Sequence, residues 1–156
     1  MRDLRDRLGL TYVLITHDLN VVGYFADRIA VMYVGQLVEI GLGDTILTSP
    51  RHPYTHALLA CAPVPDPHLN EGHLDHVLVG EVPSPHDPPS GCRFHPRCVY
   101  ADQRCTDEVP ELEDLGSGEM VACHHWRTIE LTDEQPRPDA PPAASAAASA
   151  SAGPAV

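Results

Sequence analysis

At 156 residues the chain is long enough for one domain with a core of its own, or for two small ones. Its net charge of −12, with no lysine and no cluster among its ten arginines, excludes binding along a phosphate backbone, so nucleic acid is not an expected partner. The longest apolar runs, such as residues 29–34, fall far short of the roughly 20 residues that a membrane helix needs, and direct membrane insertion is not expected. The opening MRDLRDRLGL mixes acids with arginines, unlike a secretory signal, which places the protein in the cytoplasm.

Three regimes follow one another. Residues 1–60 carry the alternating helix and strand signals of an α/β domain, residues 61–127 are rich in Pro, His, Cys and acids, and residues 128–156 are low in complexity. In chain order, MRDLRDRLG reads as a helix end with Leu4 and Leu8 on one face and Gly9 as its stop. Residues 10–16, LTYVLIT, read as a strand apolar on both faces and buried in a parallel sheet. Asp18 is the candidate N-cap of a helix whose Leu19, Val22 and Ala26 recur at helical spacing. Residues 29–34 form a second apolar strand, and Gly35-Gln36 turns into a half-exposed hairpin strand in which Val38 and Ile40 alternate with Glu39. Asp44 can cap a short helix over DTILTS, and HPYTHALLAC reads as another with Pro53 in its first turn. The tail PRPDAPPAASAAASASAGPAV has almost nothing large and apolar to bury and is expected to be disordered.

Two features carry chemistry. Thr16, His17 and Asp18 stand between a predicted strand and a predicted helix, where open α/β sheets place ligands and helix N-termini favour anions. Cys92, Cys98, Cys105 and Cys123 are spaced C-x5-C-x6-C-x17-C in a Pro-rich stretch with few large apolar residues, which calls for a cross-link. A disulfide is disfavoured in a reducing compartment. Zinc sites usually pair ligands as C-x2-4-C, and the wider loops here suit an iron-sulfur cluster, so spacing leaves both metals open. Cys61 reads as a small buried hydrophobe; His95, His124 and His125 could replace a cysteine as ligand, with His124 and His125 read as surface or supporting groups; Trp126 reads as an anchor for the end of the segment, and Arg93 and Arg97 as cations screening an anionic site.

The stretch LTYVLITHDLNVVGYFADRIAVMYVGQLVEIG resembles the C-terminal part of ABC-transporter nucleotide-binding domains, and SPRHPYTHALLACAPVPDP with EVPSPHDPPSGCRFHPRC resembles the C-terminal extension of the oligopeptide and dipeptide importer ATPases. The resemblance runs from residue 1 to about 127. It implies an α/β fold, the C-terminal portion of a P-loop ABC ATPase domain over residues 1–60 with a loop-rich, Cys-containing extension over 61–127. It implies ATP and Mg in a complete domain, with His17 as the switch histidine that contacts the γ-phosphate; for Asp18 the structural role of helix cap is favoured. It also implies a four-iron four-sulfur cluster on Cys92, Cys98, Cys105 and Cys123, structural in role, with zinc as the alternative. Partners would be a second ATP-binding subunit and the permease subunits of a peptide importer, on the inner face of the cell membrane. The departures are large: with no lysine there is no G-x-x-x-x-G-K-[ST] loop, and the Asp-Glu strand and the LSGGQ-type signature are missing too. The chain then reads as a C-terminal fragment, inactive in ATP hydrolysis by itself. The competing reading is a stand-alone, non-catalytic metal-binding module that docks on a transporter or ATPase.

Overall fold

The computed structural model describes residues 2–61, 78 and 80–131. Of the tail expected to be disordered at residues 128–156, residues 132–156 lie outside these described residues, as does most of the stretch linking α4 to the cysteines. The elements run α1 (Arg2–Leu8), α2 (Leu19–Phe25), β1 (Arg28–Tyr33), β2 (Gln36–Leu42), α3 (Gly43–Thr48), α4 (Pro53–Ala60), a 3-10 turn (His95–Arg97), α5 (Gln103–Asp107), β3 (Glu113–Gly116) and β4 (Glu119–Val121).

One antiparallel sheet, in the order β1-β2-β4-β3, organises the molecule. The β1–β2 hairpin closes through Val34 and Gly35, both at positive φ (45° and 77°), the two-residue turn whose twist matches the strands. β4 pairs with β2, setting Glu39 opposite Val121 and Ile40 opposite Met120. The segments before and after residue 61 therefore meet in a single sheet. On β1 the residues Ile29, Val31 and Tyr33 point inward, and they build the core with Val38, Ile46 and Phe94. Cys92 and Cys98 pack against this core, and Phe94 stands edge-on to Tyr33 at 5.2 Å between ring centroids.

Several sequence expectations are corrected here. Residues 10–16 form no strand: Val13 is 91% and Ile15 94% exposed. A strand apolar on both faces needs neighbours on both sides, and no described strand pairs with this one. Glu39 is buried, not solvent-facing, because a bulge sets Val31 opposite Glu39 and Met32 opposite Leu37, leaving Val38 as an extra residue that breaks the alternation. α3 begins at Gly43 without a side-chain cap, so Asp44 sits in its first turn instead of capping it. Cys61 is exposed at the end of α4 rather than buried. Arg93 donates to the carbonyl of Val34, and Arg97 to the Tyr33 hydroxyl at 3.4 Å and the Leu78 carbonyl at 3.2 Å. Both arginines thus tie the cysteine segment to the hairpin instead of only screening a charge.

Candidate metal centre

Each cysteine is placed by a local device. Gly91, at φ +60°, brings the chain so close to α5 that an added Cβ would lie 2.3 Å from the Cys105 carbonyl oxygen. That approach lets the Cys92 N–H donate to the Cys105 carbonyl at 2.8 Å. The 3-10 turn His95–Arg97, with Pro96 in its first positions, carries the chain to Cys98, whose N–H donates to the His95 carbonyl. Asp102 caps α5 by accepting from the Cys105 N–H at 3.1 Å, which fixes Cys105 inside. Cys123 follows β4, where the Ala122 N–H donates to the Val38 carbonyl and holds the strand end against β2.

These devices converge. Cys92, Cys98, Cys105 and Cys123 line one pocket, walled by His52, Phe94 and Tyr100. Burial first, and the neighbouring thiols after it, push Cys98 up to about 12 and Cys123 up to about 11; burial raises Cys92, and burial followed by the Asp102 carboxylate raises Cys105. A pocket that resists charging four neighbouring thiols is one in which thiolates require a cation, and the donor set is all sulfur, the preference of zinc and iron-sulfur centres. The residues present therefore fit a metal–sulfur group. Among the described residues the group of potential ligand atoms mutually within 4.8 Å is Asp102, Cys105 and His125, so no three of the thiols stand that close to one another. A zinc tetrahedron with bonds of about 2.3 Å needs sulfurs roughly 3.8 Å apart.

Sequence reasoning missed three participants. His52 is 1% exposed and heads α4, its Nδ1 accepting from the Tyr54 N–H at 3.0 Å. Burial lowers its pKa to about 3, so the imidazole is neutral. Glu39, 2% exposed, accepts from the N–H groups of Arg51 at 2.5 Å and His52 at 3.1 Å and so fixes the start of α4; burial raises its pKa. Asp102 stands 3.2 Å from His125 Nε2, and its hydrogen bond from the Cys105 N–H, helped by His125, holds it down to about 2. The one local signal was the His-Pro pair at residues 52–53, a helix start that makes His52 a cap.

The other expected site residue lies apart from this pocket. His17 sits exposed in the bend before α2, with no strand before it. The helix start itself is as expected: Asp18 Oδ1 accepts from the Val21 N–H at 3.4 Å, and Thr16 Oγ1 accepts from the Asp18 N–H at 3.0 Å. Among His95, His124 and His125, the first two are engaged with the Cys92 and Glu108 carbonyls at 2.9 and 3.0 Å. Trp126 bonds Glu113 at 3.2 Å, and Arg127, 4.3 Å over the indole, bridges to the same carboxylate at 2.8 Å, which fastens the end of the segment to β3.

Comparison with known proteins gives these features a setting. Residues 38–105, from β2 to the third of the four cysteines, match the sequence model of the oligopeptide/dipeptide transporter, C-terminal region. Over these residues the chain is similar to that family. It is 50% identical over 124 residues to a probable peptide ABC transporter ATP-binding protein of Sinorhizobium fredii, covering 80% of this chain and 35% of the relative. It is 46% identical to the dipeptide transport ATP-binding protein DppF of Haemophilus influenzae (80% of this chain, 38% of the relative). With the putative oligopeptide transport ATP-binding protein YkfD of Bacillus subtilis it shares 42% identity (86% of this chain, 41% of the relative). The chain thus spans about two fifths of the length of the transporter relatives it matches. No helix among the described residues is long and apolar enough to cross a membrane.

Proposed function

We propose that this chain is the C-terminal portion of the ATP-binding subunit of an ABC importer for oligopeptides or dipeptides, in which ATP hydrolysis drives peptide uptake. The observation that carries the reading is the identity to peptide-transport ATP-binding proteins over 80–86% of the chain. In this reading residues 1–60 belong to the P-loop ATPase domain and residues 61–127 form its Cys-bearing extension. ATP and Mg bind in the complete domain. There His17, at a helix start that already holds Thr16 and Asp18 in place, donates to the γ-phosphate as charge develops on it. Lacking lysine, the chain has no phosphate-binding loop and does not hydrolyse ATP by itself. A second ATP-binding subunit and the permease are its partners, and it sits on the cytoplasmic face of the membrane. The relatives do not favour a stand-alone metal module.

Cys92, Cys98, Cys105 and Cys123 hold a four-iron four-sulfur cluster in this reading. Support comes from four thiols lining one pocket and from sequence spacings wider than the C-x2-4-C pairs usual for zinc. The group would cross-link the loop segment to β4 as a structural pin. Anaerobic purification of the chain with iron, sulfide and zinc analysis tests this. About four irons and four sulfides per chain with a broad visible absorbance are expected. One colourless zinc would replace the cluster by the alternative, and a folded chain without metal would overturn the metal site.

A further inference from the structure

His52 poses a question that the four cysteines do not answer. It comes from the head of α4, remote in sequence from the cysteine segment, yet its ring lines their pocket and stands 5.9 Å from Phe94 between centroids. The Tyr54 N–H occupies Nδ1 as an acceptor, so the proton of the neutral ring resides on Nε2. That Nε2–H is buried and has no hydrogen-bond partner; the carbonyl of Ala122 approaches it without closing a bond. A buried donor left unpaired costs free energy comparable to a lost hydrogen bond, and folded proteins rarely keep one beside a pocket without a use for it. Glu39 accepts from the N–H groups of Arg51 and His52 and so anchors the backbone that carries the ring.

We infer that His52 is a positioning and tuning residue for the metal–sulfur group of this pocket: its Nε2–H donates a hydrogen bond to a sulfur of that group, a sulfide or a cysteine thiolate. The inference rests on the cluster reading above. Sulfur bound to iron carries more negative charge when the cluster is reduced, so a fixed N–H donor stabilises the reduced form and raises the potential. No proton leaves the imidazole, and the ring is no ligand. Of the other histidines lining the pocket, His95 and His124 already meet carbonyls, while His125 Nε2, also without a hydrogen-bond partner, faces the Asp102 carboxylate at 3.2 Å and not a sulfur.

The test uses the full chain, purified anaerobically or reconstituted with ferrous iron and sulfide, as wild type, His52→Phe and His52→Gln. Iron and sulfide content is measured first, then the midpoint potential by spectroelectrochemistry. Removing the donor in His52→Phe is expected to leave the iron and sulfide content in place. It should lower the reduced-to-oxidised ratio at a fixed potential about tenfold, equivalent to about 59 mV more negative for a one-electron couple. His52→Gln, which keeps an N–H, is expected to restore part of the shift. An unchanged potential in a loaded His52→Phe overturns the inference and leaves the cluster reading intact. A wild type that takes up no iron and sulfide overturns the cluster reading and the inference with it. If His52→Phe does not fold, 15N-histidine-labelled protein in which His95, His124 and His125 are replaced by Gln carries the test. Its reduced cluster is expected to show hyperfine coupling to a histidine nitrogen, and absence of that coupling overturns the inference.

Discussion

Residues 10–15 and residues 91–105 invert the usual relation between composition and burial. The first stretch, LTYVLI, is almost wholly apolar and lies exposed, with Val13 and Ile15 more than nine-tenths open to solvent. The second, GCRFHPRCVYADQRC, is polar and irregular, yet Phe94 is 2% and Cys105 6% exposed. What separates them is the number of directional ties. The cysteine stretch is held by Cys92 to the Cys105 carbonyl, by Arg93 to the hairpin turn and by Asp102 to the start of α5. Residues 10–15 have hydropathy but no such tie to the sheet, and hydropathy alone positions nothing.

Substitutions can break this contrast from its strong end. Cys98→Ala is expected to abolish iron and sulfide retention altogether, read by metal analysis and loss of visible absorbance, because Cys98 lines the pocket and packs against the core. Gly91→Ala should cost about 3 kcal/mol, measured by urea denaturation, since the new methyl meets the Cys105 and Thr106 carbonyls at 2.3 and 2.6 Å in a left-handed conformation. Glu39→Ala leaves the Arg51 and His52 N–H groups without their acceptor and should cost about 2 kcal/mol.

The same glutamate sets a pH dependence. Its folded pKa is raised above the ordinary 4.5 by burial, partly offset by the Thr55, Arg51 and His52 donors, so the folded state binds the proton more tightly than the unfolded state. Its contribution is therefore full below 4.5 and is lost as pH rises through the folded value. Glu39→Gln is expected to remove that part of the slope of denaturation midpoint against pH. At the weak end, Val13→Asp with Ile15→Asp should change the stability of the sheet by no more than about 0.5 kcal/mol while reducing hydrophobic dye binding and aggregation. A large loss there would mean that residues 10–15 are packed after all.

The legible parts of the fold were those written in local chemistry. Gly35 announced the hairpin, although the turn falls on Val34-Gly35; Pro53 announced the start of α4, and Asp18 the cap of α2. The four cysteines stood out as a set by spacing, and one pocket gathers them. The strand expected at 10–16 was not formed because strand signals state a preference that only a partner can satisfy. Glu39 looked like a solvent-facing residue because one bulged residue, Val38, shifts the alternation, and no sequence pattern marks the bulge. His52 and Asp102 escaped notice because their importance comes from what folding places beside them: a helix start under the cysteines in one case, the Cys105 N–H in the other.

The pairing of Ile40 with Met120 also governs the order in which the chain can fold. The β1–β2 hairpin closes over two turn residues, and three of the cysteines lie within one short stretch, so both can form early. The β2–β4 ladder must instead close a loop of roughly 80 residues, whose entropic cost falls due before its contacts exist to offset it. Cys123 rides on the strand that arrives by this slow step, whereas Cys92, Cys98 and Cys105 can gather without it. The last strand to dock is thus also the one that delivers the last thiol, and completion of the pocket reports completion of the sheet.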